Sequence, residues 1–213
     1  MEGISVVRAI LCAVIGYLLG DIQTAVLISR HVYQDDVRKY GSHNAGTTNM
    51  TRVFGLRPGV ITFLGDFLKG VAAYWAGYLL MGRTGAYIGS LFAVLGHCYP
   101  AFAGFKGGKA VATTCGIGLM LSPVLALIAY AVGGLVLWKT KRVSPGSLTG
   151  VLVFAVLVLI FRHSDIQLVI LTILLSVLVF VRHRENIRRL LKGVEAPIVP
   201  KSASREENKK TGE

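Results

Sequence analysis

Three polar segments of the chain carry residue types suited to phosphate chemistry. The first runs Gly41-Ser42-His43-Asn44-Ala45-Gly46-Thr47-Thr48-Asn49-Met50-Thr51-Arg52. Its glycines permit tight turns and close backbone approach, and its hydroxyls and side-chain amides donate hydrogen bonds. Arg52 adds a forked, permanently charged donor. The same composition also suits a capped turn between helices. In the second segment, Gly96 to Lys109, Gly107-Gly108 lies between Lys106 and Lys109 just before an apolar helical run. Backbone N–H groups, the positive helix end and two ammonium groups could converge there on one phosphate. Lys109 lacks the glycine spacing of a Walker A loop, and an ordinary basic connector is the plainer alternative. In the third segment, Arg182 to Glu195, His183 and Asn186 stand at i and i+3 and share a helical face. The arginines around them also suit anionic head groups.

Other titratable residues carry less. Asp66 and Lys69 stand one helical turn apart inside an apolar run, where opposite charges neutralise one another. Asp21 is a second acid in an apolar stretch and should face the bundle interior. His97 alone reads as a polar helix end. His31 and Asp36 fit the H-x-x-x-x-D spacing of a general-base dyad, a match that often arises by chance. No G-x-S-x-G elbow, H-E-x-x-H helix or paired-cysteine metal motif occurs. Cys12, Cys98 and Cys115 form neither a disulfide framework nor a metal site.

The elements that must position these segments are membrane helices. Hydrophobic residues make up 53% of the 213 positions, more than one soluble domain of this length needs. Candidate spans are Ile4 to Ser29, Val60 to Met81, Gly85 to His97, Val111 to Leu121, Pro123 to Trp138, Ser147 to Phe161 and Ile166 to Val181, about seven in all, several of them short. The runs are continuously apolar, which favours helices over alternating barrel strands, and no signal-peptide cleavage pattern follows the first. The fold class is therefore all-α polytopic membrane protein, with the motif loops on the cytosolic side. The net charge of +12 could suggest nucleic acid, but the basic residues sit between apolar spans instead of on one soluble face. With the N-terminus outside and the C-terminus cytosolic, the cations of all three segments and of the tail lie inside, as the positive-inside rule prefers.

In order along the chain, these segments resemble the bacterial acyl-phosphate:glycerol-3-phosphate acyltransferases. Gly41-Ser42-x-Asn44-x-Gly46-x-Thr48-Asn49 through Arg52, with Asp66-x-x-Lys69-Gly70, looks like the first motif. Gly96-His97 through Lys109 resembles the second, and Arg182-His183-Arg184-Glu185-Asn186-Ile187 with the following Arg-Leu the third. Four positions depart from the commoner pattern: Asp21 for Ser, His43 for Gly, Thr47 for Ala, and Gly146 where one of two adjacent serines is usual, Ser147 keeping the other. An acid at position 21 near two phosphates would add repulsion unless neutralised.

The resemblance implies transfer of a fatty acyl group from acyl phosphate to the 1-hydroxyl of glycerol 3-phosphate, giving lysophosphatidate and phosphate at a bacterial inner membrane. No acyl-CoA, acyl carrier protein, other cofactor or metal would be required. It assigns His183, Asn186 and His97 to catalysis, and Ser42, Asn44, Thr48, Asn49, Arg52, Lys69, Lys106, Gly107, Gly108, Lys109 and Ser147 to substrate binding. The proton acceptor stays open among His183, His97 and a phosphate oxygen of the substrate. Residues 1–195 would form one membrane-embedded acyltransferase domain, and 196–213 a mobile cytosolic tail. A transporter of a phosphorylated solute is the rival, because intramembrane acids and broken helices also line solute pathways.

Overall fold

The computed structural model describes residues 2–198, which contain helices and no strand. The helices are α1 (Glu2–Asp21), α2 (Thr24–Tyr33), α3 (Thr47–Phe54), α4 (Leu56–Cys98), α5 (Val111–Leu121), α6 (Pro123–Thr140), α7 (Val143–Phe161), α8 (Ile166–Arg182) and α9 (Arg184–Leu191). Large apolar side chains such as Ile10, Leu79, Leu127, Ile160 and Ile170 face outward, as in a multi-pass membrane protein.

Every expected apolar run is helical, but the count of seven spans is loose. Four stretches are long and apolar enough to cross a membrane, and α8 with α9, bent by 59°, make a fifth if taken together. One of the four is double. Within α4, Met81 and Gly82 leave helical geometry, Gly82 with φ 60°, and the chain folds back on itself. A Cβ on Gly77 would lie 2.1 Å from Gly85 O, and one on Gly89 2.7 Å from Ala73 O, so residues 56–80 and 83–98 form an antiparallel hairpin. Helix α5, at 11 residues, is only about 16 Å long, roughly half the hydrocarbon thickness.

The run from Ile4 to Ser29 lies within one candidate span, Gly3–Tyr33, but its helix is not continuous. It breaks at Ile22-Gln23 between α1 and α2. The carbonyl freed there accepts a hydrogen bond from Lys69 Nζ (2.6 Å), and Gln23 Nε2 donates to His97 O (3.3 Å). A broken helix persists in a membrane only when neighbouring groups satisfy its exposed backbone in this way.

Small residues set the helix spacing. A Cβ at Gly16 or Gly20 would overlap Gly89 O or Ala93 O, at Gly116 it would overlap Phe67 O, and at Gly146 it would stand 2.6 Å from Gly133 O. Without a hydrophobic drive between helices in lipid, such close backbone packing supplies the association. It also explains Gly146: a serine there would push α6 and α7 apart.

The two ends of the bundle differ chemically. At one, Asp165 accepts from Tyr87 Oη (3.0 Å) and lies 3.6 Å from both Arg83 and Arg162, which ties the hairpin turn to the α7–α8 turn. The other end gathers all three motif segments. The tail expected from Ala196 begins as a bonded strap: Arg52 Nη2 donates to the carbonyls of Ala196 (2.8 Å) and Pro197 (3.2 Å), and Ile198 N to Lys141 O (3.0 Å). Residues 199–213 lie outside the described residues.

Candidate active site

The first motif is a folded loop that docks α3. Gly41 adopts φ 61°, and a Cβ there would meet Asn49 Oδ1 at 2.3 Å. Asn49 is buried and fully engaged: its Oδ1 accepts from Ser42 N (2.9 Å), while its Nδ2 donates to Val37 O and Tyr40 O (3.0 Å each). It shapes the loop and does not line the site. Ser42, Asn44, Gly46, Thr47, Thr48 and Arg52 do line a cavity of about 510 Å³. Gly46 precedes the first turn of α3, whose N–H groups carry the positive end of the helix. Arg52 Nε is buried on this wall with no hydrogen-bond partner among the described residues.

The second motif arrives from the other side of the same cavity. Lys109 and His97 line it, whereas Lys106 is exposed and off the wall. Gly107 and Gly108 are buried behind it. Their carbonyls accept from Arg182 Nη2 (3.0 Å) and Nε (3.1 Å), and Gly108 N donates to His97 O (3.1 Å). A Cβ on Gly108 would stand 2.2 Å from His97 Nε2, and one on Gly107 2.0 Å from His97 O. The pair of glycines therefore lets the end of α4 seat against the loop, with the Gly108 N–H and both glycine carbonyls already engaged. Arg38 Nη1 braces the loop from outside by donating to Ala103 O (2.8 Å) and Lys106 O (3.2 Å).

The third motif closes the wall at the joint of α8 and α9. His183 is buried and lines the cavity. Its Nδ1 lies 2.8 Å from Val179 O, so that nitrogen carries the proton and Nε2 is left as an acceptor. Asn186 Oδ1 accepts from Lys109 Nζ, and Asn186 Nδ2 donates to Ser144 Oγ (2.8 Å) and Glu195 Oε1 (2.6 Å). Glu195 also accepts from Ser144 Oγ (2.7 Å) and, at Oε2, from Arg189 Nε (2.8 Å). Burial favours its neutral form, but the hydrogen bonds from Arg189, Ser144 and Asn186 prevail and hold the carboxyl below its usual value. Burial pushes the Lys109 ammonium down to about 8 against the attraction of Glu195.

Several sequence-based expectations change. Lys69 does not reach the cavity; it bridges Asp66 (2.9 Å) and Ile22 O, serving the helix break, while Thr24 Oγ1 donates to Asp66 (3.0 Å). Asp21 lies off the cavity wall, so it brings no repulsion to a bound phosphate; its Oδ2 accepts from Phe102 N (3.2 Å) and secures the second loop. The His31–Asp36 pair is not a dyad, because Asp36 is bound by Arg30 (2.9 Å) and Arg38 (2.8 Å), away from the cavity. Ser144 and Glu195 were not singled out by residue type. The one available signal was an acid closing a run of cations. Ser147 lines the cavity as expected.

Beyond this mouth the walls turn apolar. Phe67, Gly118, Ala129, Gly133, Phe154 and Leu175 extend the same cavity between α4, α5, α6, α7 and α8. The molecule is thus a multi-pass helical membrane protein with a continuous cavity that is cationic at its mouth and largely apolar behind it. Its sequence matches the glycerol-3-phosphate acyltransferase family over residues 10–193. It is 44% identical to the glycerol-3-phosphate acyltransferase of Thermoanaerobacter pseudethanolicus over 91% of this chain and 98% of that one. It is 40% identical to glycerol-3-phosphate acyltransferase 2 of Bacillus anthracis over 89% and 99%. Among solved structures, the glycerol 3-phosphate form of PlsY (YgiH), an integral membrane glycerol 3-phosphate acyltransferase, superposes with a TM-score of 0.84 at 35% identity, covering 90% of this chain and 96% of that one. The lysophosphatidic acid form of the same enzyme gives 0.80 at 36% identity, over 89% and 94%. The chain belongs to the glycerol-3-phosphate acyltransferase family and is an integral membrane acyltransferase.

Proposed function

We propose that the protein transfers a fatty acyl group from acyl phosphate to the 1-hydroxyl of glycerol 3-phosphate, giving lysophosphatidate and inorganic phosphate. The observation that carries this reading is the continuity of the cavity. Arg52, Lys109 and the first turn of α3 make its mouth electropositive, and the groove behind it is apolar. An acyl phosphate has that same division, a dianionic head on a long chain, and the second substrate adds another phosphate.

Lys109, held by Asn186, suits the acyl-phosphate head, while Ser42, Asn44, Thr48 and Arg52 suit the glycerol 3-phosphate. The O–C bond forms between the 1-hydroxyl oxygen and the acyl carbon as the bond from that carbon to the bridging phosphate oxygen breaks, its electron pair leaving on that oxygen as inorganic phosphate. Phosphate is a good leaving group, so positioning and charge stabilisation supply the acceleration without a covalent nucleophile. The hydroxyl proton goes to His183 Nε2 or to a phosphate oxygen of the donor. Turnover of His183→Gln separates the two: a loss of about a hundredfold or more assigns the proton to the imidazole, and near-native turnover assigns it to the substrate. The cations of the motif end favour a cytosolic placement in a bacterial inner membrane with the N-terminus outside.

The test is reconstitution of the pure protein into liposomes with both substrates. Lysophosphatidate and phosphate should appear together, and Arg52→Ala and Lys109→Ala should each lower kcat/KM by about a hundredfold or more. Undiminished turnover in both variants, or flux of glycerol 3-phosphate without product, overturns the assignment.

A further inference from the structure

The active site uses only one side of α9. Asn186 is buried against Lys109, and Arg189 is bonded to Glu195. The opposite side is exposed. Arg184, Arg188 and Lys192 recur every fourth position and share a face. Arg184 and Arg188 are 68% and 73% exposed along their side chains. Leu191 borders that face and is 84% exposed, and Val194 beyond it is 64% exposed. Glu185 lies 3.8 Å from Arg184 and 3.3 Å from Arg188, but it is itself 56% exposed, and pairs so open to water hold weakly.

Two features fix the depth of this helix. It leaves α8 at 59°, which turns the chain from crossing the membrane toward running along it. The strap that follows bonds to Lys141, whose ammonium sits 5.3 Å over the exposed Trp138 ring, a pairing typical of the headgroup level. An uncovered leucine beside three cations at that depth matches the pattern of helices that lie in the interface plane.

We infer that α9 is an in-plane docking helix for anionic phospholipid headgroups of the surrounding bilayer. Arg184, Arg188 and Lys192 take the phosphodiester groups, and Leu191 and Val194 dip into the acyl boundary below them. The occupant is lipid because covalent attachment to α8 already holds the face at the membrane surface, where its charge is complementary to anionic headgroups. Docking also braces the site, since Asn186 on the inner side of the same helix holds Lys109.

The test is amide hydrogen exchange across residues 184–194 in the full chain, in nanodiscs of phosphatidylcholine alone or with phosphatidylglycerol. Exchange should be slower in the anionic discs, by up to roughly a hundredfold from the summed attraction of three cations, and high salt should reverse most of the effect. Arg184→Gln/Arg188→Gln/Lys192→Gln should abolish the difference between the two discs, and Arg188→Gln alone should reduce it. Leu191→Ser should raise exchange in both. Equal exchange of the native chain in the two discs overturns the proposal. So does an anionic-lipid effect that survives undiminished in the single and triple variants, or protection that appears only when a soluble protein is added.

Discussion

Lys109 ties the cavity mouth to pH. With its ammonium at about 8 in the free protein, it is charged below that pH and neutral above it. The KM for acyl phosphate should stay level up to about pH 7 and rise toward tenfold per unit beyond pH 8. Initial rates across that range check this, and Lys109→Arg, whose guanidinium stays charged, should flatten the rise even if it turns over more slowly. Glu195 is the second residue to probe. Replacing it with Ala leaves Arg189, Ser144 and Asn186 without their shared acceptor. Arg189 is 41% exposed, so the ion pair itself is half-open to water, but the buried donors left unsatisfied still cost about 1–3 kcal/mol; thermal unfolding in detergent should show a clear drop for Glu195→Ala and a smaller one for Glu195→Gln. Residue types and motif spacing put Arg52, Lys109, His183 and Asn186 among the candidates, and all four line the cavity; a forked guanidinium, an ammonium beside glycines and a polar pair on one helical face carry their chemistry openly. Glu195 was opaque for the opposite reason. Its partner Ser144 lies 51 positions away, and only tertiary packing joins them. What the missing side chains of Gly107 and Gly108 admit is the His97 carbonyl and, at Gly108, the imidazole of the same residue, a contact that spacing alone does not reveal.

At the scale of elements, hydropathy marked every apolar run and the interruption between Met81 and Gly85, but not the one at Ile22-Gln23. The break at Ile22-Gln23 carries no glycine or proline and depends on Lys69, which comes from another helix to satisfy the free carbonyl. Lys69→Met should therefore unseat α2 and leave Asp66 without its ion pair. A strongly lowered melting temperature, accompanied by lost turnover, is the expected result, although Lys69 never meets the cavity. The reversal at Met81-Gly82 was legible only as two adjoining apolar runs. Its tightness comes from facing glycines: Gly77→Val would drive a branched side chain into the backbone at Gly85. That overpacking should destabilise the fold by about 3 kcal/mol or more, read as a loss of folded protein on heating in detergent.

For the whole molecule, the testable statement is polarity across the bilayer. Single cysteines at Ser42, Lys106 and His183 should react with an impermeant maleimide from one side of the membrane, and cysteines at Arg83 and Ser164 from the other. Labels on Ser42 and His183 from opposite sides would break the site apart. The closest helix seams of this bundle are set by glycine and alanine backbones, while many bulky Leu, Ile and Val residues form an outer skin against lipid. Tolerance to random change should therefore run inside out relative to a water-soluble enzyme. Swaps among large aliphatics on the skin should pass almost unnoticed, and a single extra methyl along the inner seams should be among the most damaging changes the gene can suffer.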